Sequence, residues 1–292
     1  MNHDAPALDP APGPTPKVAL TIAGSDSGGG AGIAADLRTF GALGVFGTLV
    51  VTAVTAQNTL GVRQFLAMTP ETVEAQLEAV LSDFDVRAAK TGMLATSRTV
   101  DLLARRAAAG GLPPLVIDPV LVSSSGKAMF PGDDVAGAYR GLFAHATVVT
   151  PNLPEAGLLT GRELGDLAAM EQAARELQAL GPELVIVKGG RRPGTEAVDV
   201  AFDGRCVTML RAPWIDTANV HGTGCTFSAA IAANLASGLG PLEAAYEAKQ
   251  FVTRAILGGS RWHLGAGHGP LDQLGAAGTM RPPADTGTGR PS

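Results

Sequence analysis

The chain has 292 residues, 46% of them hydrophobic but only 4% aromatic, a formal net charge of -5 and two cysteines. An acidic balance with no Lys/Arg cluster excludes an electrostatic nucleic-acid footprint, and Cys206 and Cys225 with five histidines form neither a disulfide framework nor a metal motif. No segment approaches the roughly 20 apolar residues of a membrane helix, and no basic-then-apolar signal segment opens the chain, so a soluble cytoplasmic protein is expected.

Residues 1–16 are rich in Pro and Ala without periodicity and are expected to form a disordered lead; residues 276–292 read as a similar tail. Between them, residues 17–275 alternate short apolar runs with amphipathic stretches. The pattern predicts strands at Val18–Ala23, Thr48–Ala56, Val86–Lys90, Leu115–Asp118, Thr147–Thr150 and Leu184–Lys188. A hairpin is predicted from Ala197–Phe202 and Arg205–Leu210, turned at Asp203-Gly204. Helices are predicted at Ala31–Leu43, Pro70–Asp83, Ser97–Ala109, Asp133–Phe143, Asp166–Leu180, Thr226–Ser237 and Pro241–Gly258. Alternating βα units imply one α/β domain, a mostly parallel sheet with helices on both faces.

In such sheets ligands bind beyond the carboxyl ends of the strands. Polar and glycine-rich segments follow the predicted strands: Gly24 to Gly30, Gln57-Asn58, Thr91-Gly92-Met93, Asp118-Pro119, Asn152 to Glu155 and Lys188-Gly189-Gly190. The most informative segment lies further on, Ala218-Asn219-Val220-His221-Gly222-Thr223-Gly224-Cys225-Thr226, which runs into an apolar helix. A helix start has unpaired N–H groups and a partial positive charge, and glycines let an anion approach the backbone. The same dipole favours a thiolate at Cys225. The plainer reading is a helix capped by Thr223 or Thr226, with Cys225 as a small core residue.

Each remaining motif also has two readings. Gly30-Ala31-Gly32-Ile33-Ala34-Ala35 matches the dinucleotide fingerprint, but the next strand ends in Gln57-Asn58 rather than an acidic residue. No Lys follows the glycines as a Walker A loop requires. Gln57 is either solvated or offers donor and acceptor to a heteroaromatic edge, with Met93 and Val120 as apolar walls. Asp36 is a surface charge or a ligand to a hydroxyl or amino group. Asn152 and Glu155 are a helix start or organise water around Mg²⁺, with Asp118 joining them or merely turning the chain. Lys188 reaches solvent or pairs with phosphate.

Taken together and in order, these segments closely resemble the hydroxymethylpyrimidine/phosphomethylpyrimidine kinases of thiamin biosynthesis, from about Lys17 to Leu274. The resemblance also covers Ile117-Asp118-Pro119-Val120, Val149 to Ala156, Val187-Lys188-Gly189-Gly190 and Gly267-His268-Gly269-Pro270. It implies a ribokinase-like fold with a sheet of eight or nine strands and no separate lid domain. It implies ATP-dependent phosphorylation of 4-amino-5-hydroxymethyl-2-methylpyrimidine and then of its monophosphate. By the same resemblance Gln57 binds the pyrimidine edge, with Gly24, Asp36, Met93 and Val120 lining the pocket. Gly222, Thr223, Gly224 and Cys225 form the anion hole, Cys225 being either general base or a group that positions the hydroxyl. Lys188 and Asn152 serve ATP, while Glu155 and Asp118, with Asn152, place Mg²⁺ and its waters. The expected partners are the pyrimidine and ATP, with no nucleic acid or membrane, in a homodimer. The Ser-rich loop at 122–127 has no fixed counterpart in the family. A pyridoxal kinase on the same fold, since some relatives accept pyridoxal, and a non-catalytic pyrimidine-binding protein are the alternatives.

Overall fold

The computed structural model describes residues 15–122, 135–189 and 196–280. Most of the expected lead and of the expected tail, the Ser-rich loop beyond Val122, the start of the helix predicted from Asp133, and Gly190 lie outside the described residues. The strands are β1 (Val18–Gly24), β2 (Phe46–Asn58), β3 (Gly61–Ala67), β4 (Val86–Thr91), β5 (Leu115–Ile117), β6 (Val148–Val149), β7 (Leu184–Val187), β8 (Glu196–Phe202) and β9 (Val207–Pro213). The α-helices are α1 (Gly32–Ala42), α2 (Pro70–Leu81), α3 (Ser97–Ala108), α4 (Val135–Phe143), α5 (Leu153–Thr160), α6 (Leu167–Gln178), α7 (Thr223–Ala236) and α8 (Pro241–Gly259). The first residues of the expected tail are ordered instead, in a 3-10 turn over Gly275–Met280 that buries Ala276 against α8.

All nine strands join one sheet in the order β3-β2-β1-β4-β5-β6-β7-β8-β9. The run from β2 to β7 is parallel; β3 pairs antiparallel on one edge, and β8 and β9 do so on the other. The chain leaves β1 for β2 on one side and returns to β4 on the other, so the strand order reverses at β1. That is the switch point where loops of open α/β sheets part to admit a ligand.

Alternation along the strands sends side chains to two cores. Leu20, Ile22, Ala89, Leu115, Ile117 and Val149 pack beneath the layer of α2 to α6. Ala19, Ala88, Val116 and Val148 face α1, α7 and α8. That second core is built from alanines, with Ala229, Ala230, Ala232 and Ala233 of α7 against Ala244, Ala245 and Ala248 of α8. Small side chains let α7 lie close to the sheet, and this fixes where its N-terminus emerges.

One element departs from the sequence reading, the edge strand Gly61–Ala67, while Leu153–Thr160 forms the short helix that the helix-start reading of Asn152 and Glu155 allows. The latter opens with a capping box, Asn152 accepting from the Glu155 N–H and Glu155 accepting from the Asn152 N–H, each at 2.9 Å. Helix α7 also begins three residues before Thr226, capped by Gly222 at φ 90°.

Candidate active site

The loops after the strands enclose a cavity of about 370 Å³ lined by Gly24, Asp26, Gln57, Val62, Met93, Asp118, Val120, Asn152, Glu155, Lys188 and Gly222 through Cys225, among others. Twelve of the thirteen site residues expected from the sequence therefore meet in one place. Asp36 is the exception. It is fully buried on α1, outside the cavity lining. Its carboxylate accepts from Lys90 Nζ at 2.8 and 2.9 Å and from the Thr21 hydroxyl at 2.6 Å. Thr21 and Lys90 point to the α1 side of the sheet, so Asp36 binds the sheet rather than a ligand. Burial alone would lower the Lys90 pKa, but Asp36, with Cys225 and Asp118, more than offsets this and holds it above normal.

At the phosphate end, Gly222 is left-handed, and a Cβ there would fall 2.0 Å from the Gly30 carbonyl oxygen. Glycine is needed for both reasons. A Cβ on Gly224 would lie 3.1 Å from Lys188 Nζ, so the ammonium rests against the first turn of α7. Lys188 Nζ donates to Asp118 Oδ1 at 2.7 Å. Asp118 also accepts from Thr150 at 3.3 Å and more weakly from Ser228 at 3.4 Å. The next amide, of Gly189, donates to Asp199 Oδ1 at 2.9 Å, and Lys249 of α8 holds Asp199 Oδ2 at 2.7 Å. A buried ion pair thus steadies the loop that carries Lys188.

Glu155 sits beside Asp118 and Lys188. Burial, with Asp118, pushes its carboxyl up to about 7, against the lowering by Lys188 and by the Asn152 and Leu121 amides. Two crowded carboxylates with one lysine between them are under-neutralised, which suits a divalent cation held through waters. Their oxygens already accept from protein donors, and among the described residues no group of three or more His, Cys, Asp or Glu could hold a metal directly. The fit is therefore to a hydrated Mg²⁺ rather than a stripped one.

Cys225 corrects the expectation of a helix-start thiolate. Burial pushes its thiol up to about 11, with Asp36 and Asp118 adding to the rise, while Lys90 and the Gly32 amide pull the other way. Desolvation and two nearby carboxylates outweigh Lys90 and the Gly32 amide, which favours the neutral thiol of this half-buried cysteine.

At the opposite end, Met93 groups with Ala53 and Ala95, against which Val62, Phe65 and Val120 pack. A Cβ on Gly24 would lie 3.2 Å from Met93 Sδ. Ser27 pins the Gln57 main chain, its hydroxyl donating to the Gln57 carbonyl at 2.6 Å and its oxygen accepting the Gln57 N–H at 2.8 Å. Sequence reading assigned no role to Asp26, Val62, Lys90 or His221. Asp26 and Lys90 lie within or beside motifs it noted, Val62 lies on the edge strand it missed, and His221 opens the glycine segment.

Residues 26–272 match the phosphomethylpyrimidine kinase family model. The chain is 49% identical over 255 residues to a hydroxymethylpyrimidine/phosphomethylpyrimidine kinase of Rhizobium meliloti, covering 87% of this chain and 96% of that one. Its fold is similar to that of Bacillus subtilis pyridoxal kinase in its ADP complex, with a TM-score of 0.80, 41% identity, and coverage of 89% of this chain and 98% of that one. Staphylococcus aureus pyridoxal kinase with AMP-PCP and pyridoxal gives a TM-score of 0.81 at 36% identity, covering 89% and 94% of the two chains. The chain belongs to the phosphomethylpyrimidine kinase family.

Proposed function

We propose that the cavity of this phosphomethylpyrimidine kinase family member carries both phosphoryl transfers with one set of residues. The chain is a hydroxymethylpyrimidine/phosphomethylpyrimidine kinase of thiamin biosynthesis, using ATP. The kinase unit spans 17–275 and acts in the cytoplasm as a homodimer. The pyrimidine ring lies between Met93 and Val120, its edge on Gln57 and its hydroxymethyl group toward Cys225. In the first transfer the hydroxyl oxygen forms the new bond to the γ-phosphorus, the bond to the β-phosphate oxygen breaks, ADP leaves and the hydroxyl proton is released. In the second, an oxygen of the bound monophosphate is the nucleophile.

Gly222, Thr223 and Gly224 present main-chain N–H groups to the moving phosphoryl group, and Lys188 adds a positive charge where negative charge gathers. Asn152, Glu155 and Asp118 would hold Mg²⁺ through its waters. The ion supplies charge neutralisation for the phosphates. Cys225, a neutral thiol, positions the nucleophile rather than taking its proton. The observation that carries this reading is the close approach of Lys188 Nζ to Gly224, two independent anion-binding features at one point. Lys188→Met is expected to raise the KM for ATP roughly tenfold to hundredfold with the pyrimidine KM unchanged. An unchanged ATP KM and kcat would overturn the assignment.

Pyridoxal is the second reading, favoured by the likeness to pyridoxal kinases at 36–41% identity.

A further inference from the structure

A buried acid–histidine pair borders the ring end of the cavity. The main-chain N–H of Gly28 donates to Asp26 Oδ1 at 2.8 Å, and those of Gly30 and Ala31 donate to Oδ2 at 3.0 and 2.8 Å. His221 Nε2 lies 2.8 Å from the same Oδ2. Burial opposes ionisation of Asp26, but the His221 bond and charge, with the Ala31 and Gly28 amides, more than offset it and hold the carboxyl below its usual range. A carboxylate only accepts, so the His221 ring carries hydrogen on Nε2. The ring is wedged: a Cβ on Gly30 would lie 2.5 Å from its Cδ2. Its main-chain N–H is held by the Gly269 carbonyl at 3.0 Å.

The same Nε2 faces the Gln57 carboxamide, whose nitrogen is 3.4 Å away. A ring N–H tolerates the amide oxygen beside it and disfavours the amide nitrogen, and the two ends exchange by a half-turn of the carboxamide. Ser27 fixes the Gln57 main chain, so the neighbouring ring decides how the side-chain amide is turned.

We propose that His221, held by Asp26, is a positioning residue that fixes the hand of the Gln57 carboxamide and so selects a ring edge pairing an exocyclic amino group with a ring-nitrogen acceptor. The edge of opposite polarity, a carbonyl beside a ring N–H, is rejected. This deepens the reading of the site above and rests on Gln57 meeting the ring edge. A locked amide offers its oxygen to the amino group and its N–H to the ring nitrogen. The 4-oxo ring inverts both partners and leaves buried polar groups mispaired.

The test compares kcat/KM for the 4-amino and 4-oxo forms of the hydroxymethylpyrimidine in the wild type, His221→Phe, His221→Gln and Gln57→Ala. In His221→Phe the 4-amino over 4-oxo ratio is expected to fall roughly tenfold or more, with the loss in pyrimidine KM and the ATP KM unmoved. His221→Gln keeps a nitrogen donor near the Nε2 position and is expected to restore most of the ratio. A wild-type ratio in His221→Phe overturns the proposal. If that variant does not fold, Asp26→Asn removes the carboxylate that places the ring proton; a reduced ratio supports the proposal and an unchanged one overturns it. Gln57→Ala separates the two layers. An unchanged pyrimidine KM there removes Gln57 from the ring edge, while a raised KM with an unmoved ratio in His221→Phe defeats only the positioning role.

Discussion

Cys225 gives the sharpest quantitative test, because its raised pKa sets how its reactivity depends on pH. Only the thiolate is alkylated. With its pKa raised from 9.0 to about 11, Cys225 is ionised about a hundredfold less than an unperturbed thiol near pH 7.5. Cys206 is exposed. Iodoacetamide labelling of the ligand-free protein, followed by peptide mass spectrometry between pH 6.5 and 10.5, reads both sites in one sample. Cys225 is expected to react about a hundredfold more slowly at pH 7.5 than a free thiol of pKa 9.0, its rate still climbing about tenfold per pH unit near pH 10. The slope matters more than the absolute rate, since restricted access slows alkylation at every pH alike. A plateau for Cys225 below pH 8.5 would refute the reasoning and restore the thiolate. Catalysis gives an independent check. A base serves only the first transfer, because a phosphate monoester, with a second pKa of about 6, already presents an ionised oxygen. Cys225→Ala is therefore expected to slow both transfers by similar factors, roughly three- to tenfold. Loss of orders of magnitude confined to the first transfer would identify a base.

Three further outcomes follow from the packing. Glu155, raised from 4.5 to about 7, contributes stability that is fully present below pH 4.5 and lost as pH rises through 7, about 3 kcal/mol in all. In urea melts of metal-free protein, Glu155→Gln, which keeps an oxygen for the Asn152 cap, should gain about that much on the wild type between pH 4.5 and 8; a pH-independent difference would contradict this. Lys90→Met leaves Asp36 charged and buried without its partner and is expected to cost about 3–5 kcal/mol, whereas Lys90→Met with Asp36→Leu recovers most of it; a single-variant cost below about 1 kcal/mol in denaturant unfolding would be inconsistent with the pair. Gln57→Ala is expected to raise the pyrimidine KM about tenfold with the ATP KM intact, read by coupled ADP release.

The strongly periodic parts of the fold were legible from the sequence. Strands buried on both faces, such as Val18–Gly24 and Leu184–Val187, announce themselves as apolar runs. Gly61–Ala67 does not, because an edge strand pairs on one side only and its Arg63 and Gln64 are exposed. Helix α5 is eight residues long, too short for periodicity, although its capping box was visible at Asn152 and Glu155. In the site, glycines and strand-end polar residues located the cavity because strand ends must converge there. What linear motifs do not carry is which face a residue takes. Asp36 stands in a segment that resembles the family, yet alternation and helical phase turn it onto Lys90. The cysteine's protonation was equally hidden, since it depends on burial and on carboxylates from α1 and β5's trailing loop.

The most direct test of the central claim is coupled ATP turnover with Mg²⁺, with hydroxymethylpyrimidine, its monophosphate and pyridoxal compared in parallel. The account predicts ADP release with both pyrimidines and little with pyridoxal. Preference for pyridoxal, with the monophosphate left untouched, would contradict it.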